Sequence, residues 1–250
     1  MQALVAGMWG GVAGASLVVG ALMGIYARVP QKIIGLIMAI GAGVLISSVS
    51  FELMEEAFRV GGFDAAAIGL LLGAFVFFAA DWIVNRLGAQ HRKRSKDDMQ
   101  AKHGEGGSAS ALVIGALLDG IPESLAIGIG LLQGGKVSAV MVAAVFMSNI
   151  PESLSAAAGM KKAGRSTRYI LTLWTMVMIA SALAAAAGYI FLAGASGNTT
   201  GAISAFAAGA ILTMLASTMM PEAYDEGGAA VGLVTAIGFL IAFVLSKMEG

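Results

Sequence analysis

Two stretches decide the fold, ALVIGALLDGIPESLAIGIGLL at Ala111–Leu132 and VSAVMVAAVFMSNIPESLSAAAG at Val137–Gly159. Each is apolar over the roughly 20 residues that a helix needs to cross a bilayer. Each also carries a proline followed by a glutamate near its middle, where neither residue is cheap. The shared core reads GIPESL at Gly120–Leu125 and NIPESL at Asn149–Leu154, an offset of 29 residues, or one helix plus a turn. This pair predicts two adjacent membrane helices of opposite direction, with a polar centre in each.

The rest of the chain supports a bilayer setting. It has 250 residues, 58% of them hydrophobic and 12% charged, with a mean hydropathy of +0.86. Soluble chains carry about 25% charged residues, and disorder needs low hydrophobicity with high net charge. Fifteen basic and fifteen acidic side chains cancel, so no basic domain points to nucleic acid. The absence of cysteine removes disulfides, thiolate metal sites and cysteine nucleophiles. The length ruler predicts an all-α polytopic membrane protein of eight spans, at about 3–26, 32–56, 64–86, 108–132, 136–159, 168–193, 200–222 and 228–246. The runs are too long for barrel strands of about 10 residues. The first span is too long, and too poor in preceding positive charge, for a cleaved signal peptide.

Numbering the loops alternately puts twelve of the fifteen basic residues on one side and three on the other. The positive-inside rule then places both termini outside the cytoplasm, in a multi-pass protein of the cell (plasma or inner) membrane. The polar stretch at about 88–107 contains both histidines, His91 and His103. Its composition predicts a solvated cytoplasmic loop whose basic end faces anionic lipid.

A carboxylate in mid-bilayer costs at least about 2.5–3.5 kcal/mol and normally faces a cavity or a partner. The fourth span offers Asp119 and Glu123, four residues apart and on one helix face. The fifth offers Ser148, Asn149 and Glu152, also on one face. No Lys or Arg lies in the middle of any span. Three such carboxylates call for protons or a bound cation. Pro122 and Pro151 add to the case, because a mid-helix proline frees the carbonyl one turn back, here those of Leu118 and Met147. Freed carbonyls at membrane depth are tolerated where they line a cavity. Carboxylates, an amide oxygen, a hydroxyl and carbonyls make an oxygen-rich site of the kind that suits divalent ions. The plainer alternative is a pair of proline kinks with protonated glutamates bonded between helices.

A second self-match aligns AGVLISSVSFELMEEAF (Ala42–Phe58) with AGAILTMLASTMMPEAY (Ala208–Tyr224) at an offset of 166. The two spans run in opposite directions on the predicted topology. Inverted repeats with polar centres near the midplane are the pattern of secondary transporters. Three GxxxG pairs, Gly10/Gly14, Gly20/Gly24 and Gly69/Gly73, permit close helix approach.

At these residues the chain resembles the Zrt/Irt-like (ZIP) family of divalent metal transporters. Members carry His-Asn-x-Pro-Glu-Gly motifs on the fourth and fifth of eight helices. Here the corresponding residues are Asp119-Gly120-Ile121-Pro122-Glu123-Ser124 and Ser148-Asn149-Ile150-Pro151-Glu152-Ser153. Pro-Glu matches in both helices, and the asparagine only at Asn149. The family histidines fall on Asp119 and Ser148, and its final glycines on Ser124 and Ser153. The Glu-rich end of the second span and Pro221-Glu222 of the seventh also look like the family's pattern.

The resemblance implies an eight-helix 3+2+3 inverted-repeat bundle, a secondary permease rather than an enzyme, with a homodimer as a further possibility. It implies zinc as the substrate, carried toward the cytoplasm. It assigns the metal to Asp119, Glu123, Ser148, Asn149 and Glu152. Histidine is a favoured zinc ligand and no span contains one, so manganese, iron and cadmium stand as alternative ions. The sixth span has no acid, which argues against a second metal position.

Glu52, Glu55 and Glu56 suggest an entrance, and Glu222, Asp225 and Glu226 a cytoplasmic exit. Solvation of charges at span ends explains both clusters equally well. Two rivals remain: a transporter of the same architecture for protons or a small cationic solute, and an intramembrane enzyme using paired acids.

Overall fold

The structure is a computed structural model and describes residues 1–27, 29–86, 108–134 and 138–249. The expected 88–107 loop, with His91 and His103, lies outside the described residues. Every element is helical: α1 (Gln2–Tyr26), α2 (Gln31–Ser48), α3 (Glu55–Val84), α4 (Ser108–Gly134), α5 (Ala139–Lys162), α6 (Thr167–Leu192), α7 (Gly197–Met214), α8 (Met220–Gly227) and α9 (Ala230–Glu249). Short π-helical turns, Val49–Met54 and Leu215–Met219, join α2 to α3 and α7 to α8.

Among the described residues, seven helices are long and apolar enough to cross a membrane. One of them is the 54-residue run Gln31–Val84, where separate spans at 32–56 and 64–86 were expected. That run is broken at Gly62, whose φ of 74° and ψ of −178° are open to glycine alone. The packing against α7 and α8 shows what the break does. Before Gly62 the contacts run antiparallel: Gly35 meets Ala223 and Gly227, and Ala57 meets Gly201. After Gly62 they run parallel: Gly69 meets Ala202, and Gly73 meets Phe206. The chain therefore reverses at Gly62. Gly228 (φ 71°, ψ −157°) makes the matching reversal between α8 and α9.

These contacts recur in pairs. Gly35 against Ala223 and Gly227 corresponds to Gly201 against Ala57 and Gly61, each position moved by 166. The π-helical turns start at Val49 and Leu215, again 166 apart. Beyond the glycine reversals the offset is 165, with Gly238 on Ile40 answering Gly73 on Phe206.

A second group of helices forms around α1. It runs parallel to α5, through Gly20 on Ile150 and Gly24 on Leu154. It runs antiparallel to α6, through Gly10 on Ala185 and Gly14 on Met178. α4 lies along α6, with Gly128 on Ala185. Trp174, Leu17 and Ile170 fill the core between α1, α5 and α6. The larger core lies where the two groups meet, built on Met38, Leu45, Leu154, Ile211 and Met214. Large apolar side chains also face outward, among them Phe63, Leu71, Phe75 and Phe78 of α3 and Leu233 and Leu240 of α9. An apolar outside over long apolar helices is that of a multi-pass membrane protein.

Close backbone contact makes specific glycines irreplaceable. A Cβ at Gly209 would collide with the Leu70 carbonyl, and one at Gly43 with the Thr235 carbonyl. Gly130 has nothing within 4 Å of that position. We expect Gly209→Ala and Gly43→Ala each to cost about 1–3 kcal/mol by overpacking. Gly130→Ala is expected to add up to about 1 kcal/mol through helix propensity. Denaturant unfolding in detergent micelles compares the three, and equal effects would contradict this packing.

Candidate functional site in the paired Pro-Glu helices

The Pro-Glu segments lie inside α4 and α5, with Pro122 and Pro151 both within helix. The chain continues as helix through each proline, so neither segment unwinds into a loop. The five central residues are all buried: Asp119 and Glu123 are 2% exposed, Ser148 1%, Asn149 4% and Glu152 8%. Three carboxylates are therefore enclosed by protein within apolar helices, not displayed to lipid.

A contact between Ser148 and Glu123 ties the two helices together at these residues. Ser148 Oγ lies 3.3 Å from Glu123 Oε1 and 3.0 Å from the Val145 carbonyl of its own helix, and its single proton is shared between these two acceptors. Asn149 turns the other way, donating from Nδ2 to the Ala13 carbonyl of α1 at 3.4 Å. This side chain thus anchors α5 to α1, and the sequence alone carried no sign of that role. Among the described residues, no three His, Asp or Glu side chains are grouped closely enough to hold an ion together. The geometry on hand is a carboxylate–hydroxyl pair with further buried carboxylates on the same two helices.

The serines that follow each glutamate do something else. Ser124 Oγ donates to the Gly120 carbonyl at 2.7 Å, and Ser153 Oγ to the Asn149 carbonyl at 2.8 Å. These are equivalent bonds, 29 residues apart, and both return to the parent helix. They bring a hydroxyl to the carbonyl two residues before each proline, and not to the carbonyls of Leu118 and Met147 that the prolines free.

The sequence also gave no reason to single out Gly41 among 35 glycines. A Cβ there would sit 3.0 Å from Ser148 Cα and 3.2 Å from Met219 Cε. Gly41 therefore lets α2 close onto the site helix at the boundary between the two helix groups, beside the π-helical turn that ends at Met219.

The two acidic end clusters are set apart from this centre and from each other. Glu52, Glu55 and Glu56 lie beside Ala57, against the start of α7. Glu222, Asp225 and Glu226 flank Ala223, against the start of α2. Since α2 and α7 run antiparallel, the clusters stand at opposite ends of the bundle. Glu222 is buried, whereas Asp225 and Glu55 are exposed. Glu56 takes a two-bond grip from Arg59, with Nε to Oε2 at 2.7 Å and Nη2 to Oε1 at 2.6 Å. That hydrogen bond, and then the charge of Glu56, hold the exposed Arg59 guanidinium above its ordinary pKa. Glu56 is therefore engaged by a neighbour in its own helix.

Asp81, on the inner face of α3, is buried. It accepts from Asn85 Nδ2 at 2.8 Å, while Arg86 lies over the Trp82 ring, 3.7 Å from its centre.

The bonding pattern separates the serines by consequence. Ser148→Ala removes a bond between helices to a buried carboxyl group, and should cost about 1.5–3 kcal/mol in denaturant unfolding. Ser124→Ala and Ser153→Ala remove bonds within a helix and should cost about 1 kcal/mol or less. An equal cost at all three would show that the Ser148–Glu123 contact does not couple α4 to α5. No protein-family model and no curated protein matches the chain.

Proposed function

We propose that this protein carries a divalent metal cation across the membrane, toward the cytoplasm, through a site centred on Glu123 and Ser148. The observation that carries the reading is the burial of Asp119, Glu123 and Glu152 on two crossing helices of an apolar bundle. Buried carboxylates in a span mark ion or proton pathways, and no span supplies a mid-helix Lys or Arg. A divalent ion satisfies several carboxylates at once. Ser148, Asn149 and the carbonyls of Leu118 and Met147, freed by Pro122 and Pro151, complete an oxygen donor set around it. The ion itself draws Asp119 and Glu152 toward Glu123, since a carboxylate site assembles around the charge that it binds.

The bundle is read as eight crossings in a 3+2+3 inverted repeat. The reversal at Gly62 divides the long Gln31–Val84 run into two, which brings seven long helices to eight. The paired contacts at offsets of 166 and 165 support a pseudo-two-fold relation between α2–α3 and α7–α9. α4 and α5, offset by 29, then form the central pair. In such transporters the site lies at the repeat interface, and access alternates by movement of one helix group against the other. Here the groups are α1, α4, α5 and α6 on one side and α2, α3 and α7–α9 on the other. Gly41 and Ser148 face each other across their boundary. The positive-inside count places both termini outside the cytoplasm, which makes Glu52, Glu55 and Glu56 the entrance and Glu222, Asp225 and Glu226 the exit.

The Pro-Glu motifs make the ZIP family the best fit to this reading, as a member whose motif histidines are replaced by Asp119 and Ser148. Zinc is the first ion to test. The all-oxygen donor set widens the range to manganese, iron and cadmium.

Uptake into proteoliposomes across a panel of divalent metals tests the proposal. At least one ion should be taken up, with Glu123→Ala and Glu152→Ala each lowering the rate about tenfold or more. Metal flux indifferent to both substitutions would discard the site. No flux for any metal, with cleavage of a membrane-embedded peptide, would replace a transporter by an intramembrane enzyme.

A further inference from the structure

A cavity of about 540 Å³ opens at one end of the bundle, between the end of α1, the start of α2 and the end of α5. Its polar lining is Tyr26, Gln31, Lys161 and Lys162, and the half-buried Ile25 and Val29 supply accessible apolar lining. Among the described residues that line it, two are cationic and none is acidic.

Three features of this cavity point to a phosphate with an apolar tail. First, Lys161 and Lys162 occupy the last turn of α5. Lysines there complement the helix dipole, and these two, both exposed, also border the open cavity. Lys161 is held in place through Nζ, which donates to Thr167 Oγ1 at 3.0 Å. Second, α2 begins at Gln31 with Pro30 as its N-cap and no side chain capping the first turn. The positive end of a long helix therefore meets the cavity, where an anion finds peptide N–H groups and a favourable dipole. Third, the same space continues onto apolar side chains, and the bundle around it is a membrane one. Basic pockets between transmembrane helices take anionic lipid headgroups, and each nearby Lys contributes about as much as a fivefold change in affinity.

We propose that this cavity binds the headgroup phosphate of an anionic phospholipid, with the acyl chains leaving over the half-buried Ile25 and Val29. The assignment rests only on the membrane setting of the helices and not on which ion the central site carries. The bound lipid touches α1 and α5 of one helix group and α2 of the other, so it bridges the two.

The test uses the full-length protein, delipidated in a neutral detergent. Retention of phosphatidylglycerol and of phosphatidylcholine is measured by native mass spectrometry, with inorganic phosphate as a competitor. Phosphatidylglycerol should be retained in preference to phosphatidylcholine. K161Q/K162Q should weaken its binding about 25-fold, and K161R/K162R should restore it. Lys247→Gln, on α9, should leave it unchanged. Equal retention of the two lipids, or a double glutamine variant that binds normally, would overturn the proposal. Full displacement by inorganic phosphate would also overturn it, by showing a free-anion site in place of a lipid one. The arginine variant shows whether a loss of binding comes from charge or from misfolding. No metal flux enters these measurements, so their outcome stands apart from that of the uptake experiment.

Discussion

Backbone meets backbone at the glycines, and the rest of the bundle depends on that approach. In lipid there is no hydrophobic gain from bringing two apolar helices together, so association rests on close van der Waals packing. Gly43, Gly73, Gly209 and Gly238 each place a helix so near a neighbouring carbonyl that no side chain fits between them. These four contacts hold the α2–α3 and α7–α9 arms in register. Gly10, Gly20 and Gly24 do the same around α1. A bundle packed through backbones keeps its larger side chains for two purposes, filling the core between the groups and facing outward.

That packing determines where the polar residues go. α4 and α5 lie deep enough for Glu123, Ser148 and Asp119 to be almost fully covered, although each sits in an otherwise apolar helix. Ser148 faces Glu123 on one side and Gly41 on the other, at the boundary between the helix groups. A site at such a boundary is well placed to be sensed by both groups. The π-helical turn beside it, Leu215–Met219, has its counterpart in Val49–Met54. Such turns loosen the regular hydrogen-bond ladder and recur at functional positions in helices.

Much of the bundle was legible in the sequence. The three GxxxG pairs all lie at helix contacts, and the long apolar runs are helical, with the second and third expected spans forming one continuous run. The reversal at Gly62 was legible only as a gap between two spans. In the structure helix persists through Glu52, Glu55 and Glu56 up to the glycine itself. Those acids are therefore part of a helical arm and not its frayed end, and Glu56 is held by Arg59. The π-helical turns had no sequence signal, because a widened turn uses the same apolar residues as an α-helix.

The sequence by itself determined the bilayer setting, the helical character of the apolar runs, and the placing of five polar residues on the faces of two helices. Those properties follow from composition and from the 3.6-residue period, both local. Only the tertiary structure decided what the polar residues touch. Ser148 reaches Glu123, Asn149 reaches Ala13, and Ser124 and Ser153 turn back to their own helices. It alone decided that Gly41, one glycine among many, closes α2 onto the site. Contacts between helices depend on crossing geometry and backbone separation, and residues far apart in the chain set both.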